Sequence, residues 1–372
     1  MSTILHLLPH LGPNGAARQV GLVAPAFPPE IAAHVAVMGD DGVLGEPLRV
    51  AQIPLHFLRG SVRYDPTPFR ELYRLVKRLR PSVIHAWRRP AMRLAGIVDV
   101  WQAFRGRERP SLVMSDLLAG RMPHRGDRWL LRRAASVTAH GPAEASALAR
   151  LGINVDPRAI IPAAAPAAPK AIDRAAALRA LQLPIDARLI VCAGTLESGY
   201  GFRDAIWLFD ILRYVAGDLW LLILGDGPQR QSLELFSRSI GRGDYRVRFA
   251  GIRADVPELM ALAEVVWVLG QRGGRNAALE AMAAGRVVIG SRRADLAELI
   301  RDGETGLLLD PGDKRLFATR TRRILDEYDD RHRMGAAARA WAERLTATSI
   351  AGQWANLYSD LPLLRAASHN DY

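Results

Sequence analysis

Short apolar runs alternate with amphipathic stretches along almost all of this 372-residue chain. In the first half the runs are STILHLLP (residues 2–9), AAHVAVMG (32–39), SVIHAW (82–87), SLVMS (111–115) and SVTAH (136–140). In the second they are RLIVCAGT (188–195), LWLLILGDG (219–227), YRVRFAG (245–251), VVWVLG (265–270), RVVIG (286–290) and TGLLLD (305–310). Runs this short and this apolar read as strands buried on both faces, as in a parallel sheet covered by helices. The stretches between them have helical spacing. PFRELYRLVKRLRP, for example, places Phe69, Leu72, Leu75, Val76 and Leu79 on one face and closes at Pro81. One segment breaks the alternation: PAAAPAAPKAID, residues 162–173, whose three prolines suit neither a strand nor a regular helix. The pattern predicts two successive doubly wound α/β domains, 1–165 and 174–345, joined by a linker at 166–173. Helices are predicted from about Asp329 to Leu345 and from Ser349 to Tyr358, with a terminal segment over 346–372.

A chain of this length is long for a single core, which agrees with two domains. The single cysteine, Cys192, excludes an intrachain disulfide framework and a cysteine-rich zinc site. It lies in an apolar run and reads as a buried, inert thiol. No apolar run reaches the length of a membrane span. MSTILHLLPHLG lacks the basic start of a signal peptide, so a cytoplasmic protein is expected. The net charge of +12 is uneven: residues 1–168 hold 22 Lys/Arg against 12 Asp/Glu, and the remainder 28 against 26. The first half is thus expected to face something anionic: an acidic acceptor, or the inner face of a membrane touched peripherally. No nucleic-acid motif accompanies the arginines, and no nucleic-acid partner is expected.

The densest motif is QRGGRNAALEAMAAGRVVIG, residues 271–290. Gly273 and Gly274 permit a tight turn and a close ligand. The helix starting near Asn276 would aim the N–H groups of Asn276 and Ala277 at a phosphate. Glu280 follows one turn in. This stretch resembles the nucleotide-sugar signature of retaining glycosyltransferases of the GT-B fold, family 4 (glycosyltransferase group 1). In that family two glutamates stand eight positions apart. Glu280 matches the second, which accepts from the ribose hydroxyls; the first, a donor-sugar contact, is replaced by Arg272. An arginine accepts no hydrogen bond, but it can place positive charge near a diphosphate.

Other segments carry the same resemblance. LPHLGPNGAARQVG, residues 8–21, is similar to the family's first glycine loop, with Gly15 at a ligand-facing position, Asn14 in place of a glycine and Ala17 in place of an acid. AGTLESGYGFRD, residues 193–204, matches the donor-diphosphate loop after Gly194. The family's arginine and lysine are replaced there by Thr195 and Tyr200, and Arg203 is the cation left in the loop. LILGDGPQR (222–230) and DLAELIRDGETGLLLDPGD (295–313) match as fold features, and Gly251, Ile252 and Arg253 match the positions whose backbone contacts the base. His85, at a strand end, is a candidate acceptor contact or catalytic group alongside Arg272, or a hydrogen-bonded structural histidine. His140 reads as structural.

The resemblance implies two Rossmann-like domains facing across a cleft, with the terminal helix crossing back to the first. It implies transfer of a sugar, with retention, from a UDP- or GDP-sugar to a sugar, lipid-linked or glycoconjugate acceptor, without metal or other cofactor. The three replacements at Thr195, Tyr200 and Arg272 keep a second reading open: a catalytically impaired relative that binds a sugar, a nucleotide or a partner protein. A sugar-nucleotide epimerase of the same fold fits these motifs less closely.

Overall fold

The computed structural model describes residues 2–12, 14–59, 65–118, 125–214, 217–241, 243 and 246–362. Pro13, in the first glycine loop, and Tyr245, at the head of one apolar run, lie outside the described residues. The chain divides into two units. The first runs to Ala164 and resumes at Ala347; the second is Ala165–Thr346.

The first unit is built on β1 (Ser2–Leu8), β2 (Ile31–Val37), β3 (Leu55–Phe57), β4 (Val83–Trp87), β5 (Ser111–Ser115) and β6 (Ser136–Val137). The order is β3-β2-β1-β4-β5-β6 and every pairing is parallel. The earliest strand is therefore central, with His6 flanked by Val35 on β2 and His85 on β4. All five residues of β4 and of β5 are buried, as expected of strands covered on both faces. The Thr67–Leu79 helix buries Leu72, Leu75 and Val76. It ends before Pro81 because Arg80, adjoining the proline, turns left-handed at φ 45° and donates its N–H to the Val76 carbonyl. The Ala347–Ser359 helix, the last among the described residues, buries Ile350, Ala351, Trp354, Leu357 and Tyr358 in this same unit and touches the Gly15–Val23 helix.

The second unit repeats the plan with β7 (Arg188–Ala193), β8 (Leu219–Leu224), β9 (Val247–Gly251), β10 (Ala263–Val268), β11 (Val287–Ser291) and β12 (Gly306–Leu309). Their order is β12-β11-β10-β7-β8-β9, again all parallel. Cys192 lies in its core beside Ile190, Ile223 and Trp267, and burial pushes the thiol well up from its usual range. The short helix Val256–Met260 precedes β10, whose Ala263 already pairs with Leu189 in the sheet. Residues 162–173 form neither helix nor regular strand. Gln19 holds Ala164 by two hydrogen bonds, of 3.0 and 2.6 Å, and Asp173 caps the following Arg174–Ala180 helix.

Candidate functional site

In the second unit the strand order reverses between β7 and β10, the place where ligands bind in open α/β sheets, at the carboxyl ends of the strands. A small cavity of about 10 Å³ opens there, lined by Ala193, Tyr200, Gly201, Arg272, Gly273 and Gly274 among others. Its walls are loops whose backbones touch. A Cβ on Gly225 would overlap the carbonyl of Gly194, so the loops after β7 and β8 can meet only through glycine. Gly199 accepts from the N–H groups of Gln271 and Arg272 at 2.8 and 3.2 Å, joining the loop after β7 to the loop after β10.

Gly273 and Gly274 both turn left-handed, at φ 72° and 79°, and Gly274 caps the Arg275–Ala283 helix. Arg275 is therefore the first helical residue, one before the position expected, and the opening amides are those of Arg275, Asn276 and Ala277. The Tyr200 ring lies against Gly273, where a Cβ would sit 2.8 Å from ring atoms Cδ1 and Cζ and closer to Cε1. The residue in place of the family's lysine thus fills space beside the signature turn.

Three arginines surround this turn. Arg272 donates to the Ser198 carbonyl from Nη2 at 2.7 Å and from Nε at 3.1 Å, with Glu197 at 3.9 Å and the Tyr200 ring centroid 5.7 Å from its Cζ. Its side chain remains 46% exposed, so a ligand can compete for it. Arg275 donates to the Asp295 carbonyl at 2.8 Å and to Glu298 at 2.9 Å. Arg293, 13% exposed, donates from Nη1 to the Gly270 carbonyl at 2.8 Å and from Nη2 to the Gly273 carbonyl. Its Nε forms an ion pair with Asp295 at 2.9 Å. Burial pushes the Arg293 guanidinium down from its usual range, and Asp295 offsets part of that. Arg293 stitches both ends of the glycine turn to the strand behind it. No motif in the sequence marked it, because its partners are backbone carbonyls some twenty residues away.

The remaining expected donor residues are spread more widely. Glu280 is 6% exposed and Ala277 7%. Gly251 follows β8's loop closely, its carbonyl accepting from the Gly225 N–H at 2.8 Å. Next to it Ile252 is exposed, and Arg253 is held in a two-point pair with Asp255, 2.7 Å in each arm. Arg203 does not line the cavity: its guanidinium stacks 3.8 Å from the centre of the Phe236 ring. Gly15 belongs to the first unit and the other eleven to the second. It opens the Gly15–Val23 helix, whose cap is Asn14, accepting from the Ala17 N–H at 3.0 Å.

The first unit departs from expectation at His85. The sequence places it at a strand end, but β4 continues to Trp87 and His85 is fully buried in mid-strand. Its Nδ1 pairs with the Tyr358 hydroxyl at 2.7 Å and its Nε2 with the Ser115 hydroxyl at 2.6 Å. Burial holds the imidazole neutral well below its usual pKa. Both ring nitrogens are thus engaged inside the core, in mid-strand and away from the strand end where the sequence placed them. His140 also packs internally, its N–H donating to Glu144 at 2.8 Å.

The carboxyl ends of β4 and β5 instead carry Arg88 and Asp116, two non-glycine residues in the left-handed region, at φ 68° and 55°. Such conformations cost about 1–3 kcal/mol each and gather at functional sites. The two face each other at 3.8 Å. Asp116 is pushed up to about 7 by burial first and by Glu144 second, against the pull of Arg88. His10, nearby in charge terms, is lowered by burial and by Arg88. The only trace of this pair in the sequence is an acid directly after the apolar run SLVMS. Among the described residues no group of three or more His, Cys, Asp or Glu is arranged to hold a metal ion, and no helix is long and apolar enough to cross a membrane.

Comparison with known proteins covers both units. The family model Glycosyltransferase Family 4 matches residues 13–165, and the model Glycosyl transferases group 1 matches 187–327. N-acetyl-alpha-D-glucosaminyl L-malate synthase of Bacillus anthracis is 31% identical over 146 residues, 39% of this chain and 38% of that protein. The lipopolysaccharide core biosynthesis glycosyltransferase LpsE of Rhizobium meliloti is 33% identical over 165 residues, 44% of this chain and 46% of its own length. The chain therefore spans less than half of these curated relatives. The crystal structure of Anabaena HepE in complex with UDP-glucose superposes with a TM-score of 0.81 at 20% identity, covering 97% of this chain and all of that one, a likeness of fold.

Proposed function

The chain belongs to the group 1, family 4 glycosyltransferases of the GT-B fold, and from that premise we propose that it moves a sugar from a nucleotide-sugar donor to an acceptor with retention of configuration and without a metal. The observation that carries this reading is the glycine turn at Gly273–Gly274, opening a helix at the switch point between β7 and β10. The donor diphosphate would lie against the first amides of the Arg275–Ala283 helix, with Arg272 released from Ser198 to meet it. Those groups stabilise charge as the nucleotide leaves, and positioning supplies most of the remaining rate. Glu280 would accept from the ribose hydroxyls, and Gly251–Arg253 would border the base.

The donor is a UDP- or GDP-sugar; HepE's complex with UDP-glucose supports the first. The acceptor would be bound by the basic first unit, with Arg88 and Asp116 at its strand ends. LpsE's role in lipopolysaccharide core biosynthesis supports a glycoconjugate or lipid-linked acceptor, and with it a chain that works peripherally at the inner face of a membrane.

Calorimetric titration with UDP-, GDP- and ADP-sugars, followed by a nucleotide-release assay, tests this. Glu280→Gln is expected to weaken donor binding by roughly 10- to 150-fold, the loss of a hydrogen bond to a charged group. Failure of every nucleotide to bind would refute the reading. One observation favours a relative that binds without turnover: Tyr200 packs on Gly273, where the family's cation would stand. Nucleotide release in the presence of an acceptor rejects that second reading.

A further inference from the structure

The first unit carries an exposed apolar ridge among arginines. On the Arg88–Phe104 helix, Ile97, Trp101 and Phe104 share one face and are 53%, 37% and 81% exposed. Phe69, on the neighbouring Thr67–Leu79 helix, meets Trp101 edge-on with ring centroids 6.1 Å apart. On the other flank the Arg125–Arg133 helix packs closely, Leu130 filling the space over Gly96, and it presents Trp129 at 53% exposure.

Charge on these segments is lopsided. Residues 67–109 and 125–133 contain fifteen arginines and lysines against four acids. Two of the four acids are turned inward. Asp99 is 2% exposed and paired with Arg109 at 3.2 Å and Arg133 at 3.0 Å. Asp127 is 3% exposed and paired with Arg93 at 2.6 Å and Arg89 at 3.8 Å. The face turned to solvent is thus apolar along its crest and cationic around it.

We propose that this three-helix face docks on an anionic lipid bilayer, with Ile97, Trp101, Phe104 and Trp129 entering the interface and the surrounding arginines meeting lipid phosphates. The proposal deepens the reading of a chain working at a membrane, and rests on it. Tryptophan favours the headgroup level, and arginine can lay its apolar stem along such a ridge while its charge stays in water. Arg105 lies 4.9 Å above the Trp101 ring and Arg133 5.3 Å above the Trp129 ring. Each tryptophan therefore has one ring face covered by a cation, which suits an interfacial anchor whose charge stays at the headgroup level. Charge complementarity selects an anionic membrane, each basic residue near the surface adding roughly fivefold to partitioning.

Co-sedimentation of the full chain with vesicles of phosphatidylcholine alone, and of phosphatidylcholine mixed with phosphatidylglycerol, tests this. The chain is expected on the anionic vesicles only, with binding that weakens as salt rises. Ile97→Ser with Phe104→Ser, both at exposed positions, is expected to cut partitioning at least roughly tenfold while leaving the thermal transition in place. Unimpaired binding by that double variant, no binding by the parent chain, or capture of polyuridine that competes fully with the vesicles would each overturn the proposal. UDP binding is measured on the same preparations without vesicles. A parent chain that binds UDP but not the anionic vesicles sinks the docking face alone, and a parent chain that binds the vesicles but not UDP sinks the donor-site reading alone.

Discussion

Gly273 and Tyr200 make a testable pair. Gly273→Ala introduces two costs that the geometry separates. Holding alanine at φ 72° costs about 1–2 kcal/mol, because its Cβ crowds the following carbonyl. The new Cβ also meets the Tyr200 ring, at 2.8 Å from Cδ1 and Cζ and closer to Cε1, and relieving such overpacking costs about 1–3 kcal/mol more. The single variant should thus lose roughly 2–5 kcal/mol in the second unit. With Tyr200→Ala already present the ring is gone and only the backbone cost of about 1–2 kcal/mol remains. The two substitutions should therefore couple by about 1–3 kcal/mol in a double-mutant cycle. Hydrogen exchange of the β10 and Arg275–Ala283 amides reads the opening free energy of the second unit by itself, whatever the first unit does. Effects that add to within about 0.5 kcal/mol would show that the ring does not rest on Gly273.

Two other outcomes are expected. His6 is buried, and its pKa is lowered to about 3 by that burial, below the unfolded value of 6.5. Its contribution is therefore complete above pH 6.5 and is lost as pH falls, because the unfolded chain takes up a proton that the folded one refuses, at up to about 1.4 kcal/mol per pH unit. His6→Asn, which keeps an acceptor for the Trp87 indole N–H now 3.2 Å from His6 Nδ1, should flatten the pH dependence of first-unit stability between pH 6 and 4. An unchanged slope in denaturant titrations would contradict this. Arg293→Met strips donors from the Gly270 and Gly273 carbonyls and should cost the second unit about 2–4 kcal/mol, raise the donor KM and speed exchange of the 270–275 amides; Arg293→Lys should recover part of each. Wild-type exchange in both variants would remove Arg293 as the clamp of the turn.

The architecture was legible because its signals are local. Each of the eleven apolar runs contains a strand, although SVTAH keeps only Ser136–Val137, LWLLILGDG ends its strand at Leu224, and the run headed by Tyr245 is described as a strand from Val247. β3 was not legible, since Leu55–Phe57 is only three residues long and stands apart from any apolar run. The Gly273–Gly274 turn and the helix after it were also legible, glycine and helix starts being decided within a few residues. What escaped depends on partners distant in sequence. Arg203 stacks on Phe236, thirty-three residues on; Arg293 reaches back to backbone carbonyls; His85 meets Tyr358 from the far end of the chain. Residue type alone carries none of that. Arg88 and Asp116 escaped for another reason, because a left-handed arginine or aspartate looks like any other in a sequence.

The helix that closes the first unit sets a schedule for the newborn chain. His85 lacks its Tyr358 partner, and Trp87 its neighbour Trp354, until the whole intervening unit Ala165–Thr346 has been made. At about 5–20 residues per second the ribosome needs roughly 10–40 s for that stretch. For that interval the nascent first unit exposes an aromatic and histidine-lined seam, and the second unit can finish folding before the first does.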